Sequence, residues 1–213
     1  MTTLSAESSG IEMRRAFLIL LLLAALLLTG CSARFAITET GYTDTKTGRH
    51  YVALPAAYEA SAGEEEVGTF EDEAHARVVR FRVISGADAA RFLTDEEGAV
   101  YCADDVLPDA AAWTLKQILV CEEDAISYAY ARITDVVALA EIKALWFAGE
   151  ESELPLEEIK TNRRLKLASD DCPSIYYCVN YYIYESGAAY FYDIIARRAV
   201  SVPAALAEKI PLN

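Results

Sequence analysis

Between Ser174 and Tyr184 the chain sets Ile175, Tyr177, Val179, Tyr181 and Ile183 against Tyr176, Cys178, Asn180, Tyr182 and Tyr184. A period of two, rich in β-branched and aromatic side chains on both faces, is the pattern of a strand within a sheet. Glu185-Ser186-Gly187 supplies a turn, and Tyr190 to Ala196 returns as the partner strand. Arg197-Arg198 permits another reversal, after which Val200 to Val202 adds an edge. Pro203 suits the first position of a short closing helix, which Pro211 stops.

The remaining segments are read around this sheet. Arg77 to Ser85 places Val79, Phe81 and Val83 opposite Arg80 and Arg82, a half-buried strand ended by Gly86. Tyr51 to Leu54 and Gly98 to Ala103 suit strands, and Asp88 to Leu93 suits one or two helical turns. Ser61 to Glu73, with Glu64-Glu65-Glu66 and Glu71-Asp72-Glu73 around two glycines, reads as a solvated loop. For Ala110 to Ile133 a helix competes with a hairpin, and the runs Ile118 to Cys121 and Ile126 to Tyr130, on either side of Glu122-Glu123-Asp124, favour the hairpin. Thr134 can cap a helix with Asp135 in its first turn, Leu139, Ile142 and Trp146 at helical spacing, and Gly149 at its end. Arg163 to Ala168 follows an acidic loop as a further strand. Hairpins with one internal helix (about 134–148) and one short C-terminal helix predict an α+β fold on a mainly antiparallel sheet.

The N-terminal segment carries a different signal. Arg14-Arg15 precedes Ala16 to Leu28, an apolar run that covers about 20 Å as a helix, short of the roughly 30 Å of a hydrocarbon core. Leu28-Thr29-Gly30-Cys31 closes it with small residues and a thiol. Positive charge, a short apolar stretch and a small-residue cleavage site, in that order, make an export signal. Met13 to Ser32 resembles the leader of bacterial lipoprotein precursors, with the tetrapeptide as its lipobox. The resemblance implies cleavage between Gly30 and Cys31, a diacylglyceryl group and further acyl chain on Cys31, and no other cofactor. It places the chain on the extracytoplasmic face of a bacterial membrane. In a two-membrane host, Ser32 rather than aspartate after the cysteine implies sorting to the outer membrane. Two or more acyl chains give stable anchoring without help from a protein patch. Met13 suits the start of such a leader better than Met1, because Glu7 and Glu12 fit an export signal poorly.

The organisation expected is then a signal peptide at 1–30, a lipidated N-terminus and tether at 31–47, and a single domain at 48–213. The leader holds two acids and two bases, so the formal charge of −14 stays on the mature part. That excess disfavours nucleic acid, anionic lipid headgroups and acidic wall polymers as direct partners, and otherwise fits a well-solvated exported surface. Cys102, Cys121, Cys172 and Cys178 remain beyond the anchor. An even number in an exported chain permits two disulfides, with free buried thiols as the alternative, and the spacings resemble no zinc site.

No catalytic residue and no metal site is named from the sequence. His50 and His75, the only histidines, have no nucleophile or orienting carboxylate assigned to them. The acidic runs lack the spaced ligands of a calcium loop. Seven of the thirteen tyrosines fall between Tyr176 and Tyr192. Tyr176, Tyr182, Tyr184, Tyr190 and Tyr192 are therefore a candidate aromatic interaction face for a protein or a glycan, although β-propensity and cross-strand packing are the favoured account of them. The expectation is a membrane-anchored binding or accessory module that contacts an envelope protein. An envelope-acting enzyme and a purely structural lipoprotein are the competing classes.

Overall fold

A computed structural model describes residues 33–72, 76–122 and 128–212. Gly30, Cys31 and the apolar leader, together with His75, Glu73, Glu123 and Asp124, lie outside the described residues. In chain order the strands are β1 (Phe35–Ile37), β2 (Gly41–Asp44), β3 (His50–Ala53), β4 (Tyr58–Ala60), β5 (Ala62–Asp72), β6 (Arg77–Ile84), β7 (Phe92–Thr94) and β8 (Val100–Ala103). They continue with β9 (Leu115–Glu122), β10 (Ala129–Ile133), helix α1 (Val136–Ala148), β11 (Ile159–Ser169), β12 (Ile175–Tyr184), β13 (Ala189–Asp193), β14 (Arg198–Val202) and helix α2 (Ala204–Ala207).

The fold is mainly β, and this corrects the α+β expectation. Among the described residues, two seven-stranded antiparallel sheets hold about half, and the two helices are short. The helix over about 134–148 is present as α1, but strands take segments that local composition assigns elsewhere. The supposed acidic loop is β5, laddered to β6 with two register shifts. Two of its carboxylates meet arginines of β6, with Arg80 3.8 Å from Glu66 and Arg77 3.6 Å from Asp72. Cross-strand charge pairing thus satisfies a strand that a count of glutamates reads as coil. Asp88 to Leu93 is not helical: Arg91 and Phe92 donate to the Asp88 carbonyl in a turn that delivers β7.

The span read as a tether is also folded. Residues 35–44 make β1 and β2, Phe35 is buried, and Asp44 is almost fully enclosed. The first sheet runs β1-β2-β3-β8-β7-β6-β5, and its ends approach until it is nearly a closed barrel. Instead of a ladder between β1 and β5, the Arg34 side chain makes the seam. Its Nη1 donates to the Val67 carbonyl at 2.6 Å, while Nε and Nη2 grip the Asp44 carboxylate at 3.0 and 2.6 Å. Gly68 leaves room for this crossing, since a Cβ there would lie 2.7 Å from the Arg34 Cβ. Inside, Phe35, Tyr42, Tyr51, Phe81 and Tyr101 pack edge to face at centroid separations of 4.9 to 6.2 Å, except that Phe35 and Phe81 meet tilted at 4.4 Å.

The second sheet runs β10-β9-β11-β12-β13-β14, with β4 paired to the start of β12 on the edge that β13 occupies further along. The hairpin reading of 118–130 agrees with the pairing of β9 and β10, where Cys121 lies opposite Ala129. Helix α1 covers one face. Its N-cap is Asp135, not Thr134, and the carboxylate accepts the Ala138 N–H at 2.8 Å. Leu139, Ile142 and Trp146 meet Ile118, Val120, Leu165, Leu167, Tyr181 and Phe191 in the main core. Gly149 ends the helix by closeness, not by a left-handed turn. Its φ is −70°, and a Cβ would fall 2.3 Å from the Leu145 carbonyl oxygen. Arg198 completes the cap: its guanidinium donates to the carbonyls of Trp146 and Gly149 and stacks 4.7 Å from the Trp146 ring centroid.

The Tyr181 hydroxyl is fully buried in this core without a hydrogen-bond partner, and burial pushes its pKa up to about 12. An unmet buried donor costs about 1–3 kcal/mol. Tyr181→Phe is therefore expected to raise the denaturant midpoint, by about 1 kcal/mol in unfolding free energy. A midpoint lowered to the same extent would show that the hydroxyl is bonded.

Candidate functional site

The sheets are joined where β4 runs into β5. Tyr58, Glu59 and Ala60 pair with Tyr177, Tyr176 and Ile175 of the second sheet, whereas Ala62 already pairs with Ile84 of the first. Ser61 is the handover, donating to the Ser174 carbonyl at 3.1 Å and accepting from Ser85 N at 3.0 Å. A core of Tyr58, Ile84, Phe92, Cys102, Trp113, Cys172 and Ile175 fills one side of this junction. On the other side opens a cleft of about 520 Å³. Its lining includes Ala60 to Ala62, Leu119, Cys121, Lys166 and Tyr176 on one wall and the β7–β8 turn, Glu96 to Gly98, on the other.

Strand parity sets what the cleft floor presents. Arg164 lies opposite Cys121 and Asn180, Lys166 lies opposite Leu119 and Cys178, and Glu59 lies opposite Tyr176. All of these side chains project from the sheet face away from α1. Glu59 binds both cations: its Oε2 is 2.7 Å from Lys166 Nζ, and its Oε1 meets Arg164 Nη2. Arg164 Nη1 also donates to Asn180 Oδ1 at 3.4 Å, and Lys166 Nζ sits 5.9 Å from the Tyr176 ring centroid. Lys166 is only 5% exposed. Of these three only Lys166 lines the cleft, and through it a cluster of two cations and one carboxylate adjoins the cavity, in a chain with an overall excess of acid.

The opposite wall is braced rather than loose. Asp95 Oδ1 accepts the N–H groups of Glu97 and Ala99 at 3.0 and 2.9 Å, and its Oδ2 accepts the Tyr101 hydroxyl at 2.9 Å. Burial, reinforced by Asp95, holds that phenol well above its usual pKa. Glu96 and Glu97 project from this turn toward Arg80 and Arg77 at 3.1 and 3.4 Å.

The four cysteines read as potential disulfide partners are free, buried thiols. Cys102 and Cys172 belong to the inter-sheet core, and Cys121 and Cys178 to the cleft face. Burial pushes the Cys102 thiol up to about 11 and raises the other three. For Cys178 this prevails although Arg164 and Lys166 pull the other way. The site therefore holds neutral thiols beside fixed charges.

His50 hydrogen-bonds threonine hydroxyls through both ring nitrogens, Thr40 at 3.0 Å and Thr43 at 3.2 Å. The tyrosines expected as an interaction face share the polar face of the second sheet. Tyr182 and Tyr184 are buried, and Tyr176, Tyr190 and Tyr192 are half-buried. Their rings meet across strands, Tyr182 with Tyr192 at 5.5 Å and Tyr184 with Tyr190 at 5.7 Å. Only Tyr176 among them lines the cleft. Glu59, Arg164 and Lys166 escape sequence reading because Arg163 to Ala168 alternates charge with leucine as any half-exposed strand does. The carboxylate that encloses those charges comes from a hundred residues earlier. Compared with family models, curated proteins and solved structures, the chain matches none.

Proposed function

We propose that this chain is a lipid-anchored, extracytoplasmic binding or accessory module, held to its membrane through Cys31 and working through the cleft between its two sheets. The observation that carries the binding role is the Glu59–Arg164–Lys166 cluster, which reaches the cleft through Lys166. Enclosing charges costs several kcal/mol per ion, and well-packed apolar residues fill such a place at no loss of stability. Charges kept there, beside a cavity of ligand size, favour recognition over packing. The lipobox Leu28-Thr29-Gly30-Cys31 supports the anchor.

Each half of the proposal has its own experiment. Cys31→Ala is expected to abolish incorporation of labelled palmitate and to leave the uncleaved precursor on a gel; undiminished labelling would reject the anchor. Crosslinking on native membranes, comparing the lipidated chain with its Lys166→Met variant, tests the cleft. Loss of captured partners from a variant that still folds and localises is expected, whereas an identical crosslinking pattern would move the binding surface elsewhere.

A further inference from the structure

Cys31 stands three residues before Arg34, and Arg34 is already part of the fold. Its backbone carbonyl accepts the Thr45 N–H at 2.8 Å and the Thr45 hydroxyl at 2.7 Å, and its side chain is locked to Asp44 and Val67. Three residues span at most about 11 Å even when fully extended. A lipid on Cys31 thus leaves this end of the first sheet almost no freedom to leave the headgroups.

We propose that the end of the first sheet formed by Arg34 and the β2–β3 turn, Thr45 to Arg49, rests against the phospholipid headgroup surface of the membrane that holds the anchor. The proposal rests on the lipid-anchor reading of Cys31 and adds an orientation to it. The turn itself, Thr45 to Arg49, carries no acid. Asp44 is neutralised internally by Arg34, Lys46 is exposed, and Arg49 is half-exposed, with its guanidinium also reaching the Ala90 carbonyl. Asp104 and Asp105 come next around this end, beyond His50, whose carbonyl accepts the Asp104 N–H. Exposed Asp88, which accepts the Ala90 N–H, shares this end as well, so the short reach from Cys31 and not a positive patch sets the contact.

The same geometry places one wall of the cleft. In the first sheet Tyr51 lies opposite Ala103 and Ala53 opposite Tyr101, so the β2–β3 and β7–β8 turns are at opposite ends. Glu96, Glu97 and Gly98, which wall the cleft, occupy the end away from Arg34. This wall of the cleft therefore lies on the side away from the bilayer, whereas Ala62, opposite Ile84, lies toward the Arg34 end.

The test uses the full lipidated chain in phospholipid vesicles containing a headgroup-nitroxide lipid. A fluorophore is placed by Lys46→Cys in one sample and by Glu97→Cys in another. The four native thiols beyond Cys31 are buried and escape labelling under native conditions. Several-fold stronger quenching at position 46 than at position 97 is expected. Equal or reversed quenching on protein whose mass shows acylated Cys31 overturns the orientation while leaving the anchor in place. Unmodified Cys31 overturns both.

Discussion

Glu59→Gln is expected to lower the unfolding free energy by about 3–5 kcal/mol, because it leaves Arg164 and Lys166 enclosed beside a neutral amide. The midpoint of urea unfolding measures it, and a shift below about 1 kcal/mol would mean that water reaches the cluster freely. A companion variant separates stability from purpose. Replacing Glu59, Arg164 and Lys166 together by leucine and methionines removes every charge and fills the same volume. Such replacements are often neutral or stabilising. A stable triple variant that no longer captures partners would assign the cluster to recognition. One that keeps all its partners would return it to architecture.

Arg34→Ala is expected to cost a similar amount, about 3–5 kcal/mol, by leaving Asp44 buried without its cation. It also removes the seam between β1 and β5, so exchange of the β1 and β2 amides should accelerate before the second sheet responds. The pair has a pH signature. Its hydrogen bonds from Arg34, Lys46 N–H and the Thr47 hydroxyl lower the Asp44 pKa from 3.8 to about 2 against the opposing cost of burial. A depressed carboxylate stabilises the fold fully above its unfolded value, near pH 4, and loses that contribution as pH falls through its folded value, near pH 2. The loss is about 2 kcal/mol. Acid titration of unfolding free energy should show this step in the parent chain and a smaller one in the Arg34→Ala variant. Identical acid limbs would show that Asp44 is not held by Arg34.

Local pattern carries far in the second sheet. The alternation around Val179 and Tyr181, the Glu185 to Gly187 turn and the β9–β10 hairpin are all present in three dimensions. Each depends on neighbours in sequence, where side-chain period and turn residues act directly. The first sheet is less legible. β5 carries glutamates and glycines, and β1 and β2 are short and rich in threonine, so their propensities are weak. They become strands because Arg80 and Arg77 lie across from β5 and because Arg34 and Asp44 clasp the start of β1. Those contacts join residues that no local window contains.

The candidate site divides along the same line. Lys166 and Arg164 are visible as charges in a strand, and Tyr176 as one ring of a cluster, but nothing near them announces Glu59. The tyrosines invite an exposed platform in sequence, and folding buries Tyr182 and Tyr184 and turns the rings on one another.

By itself the sequence determined the strand character of residues 175–184, the helix ending near Gly149, and the resemblance of Leu28 to Cys31 to a lipobox, because each is a pattern written in adjacent residues. The tertiary structure alone decided that the described residues form two sheets with little helix, that the supposed tether is folded from Phe35 onward, and that Glu59 meets Arg164 and Lys166 beside a cleft. The reason is physical: burial and ion pairing act between strands brought together from distant parts of the chain, and a charge reveals whether it is solvated or enclosed only when its neighbours in space are known.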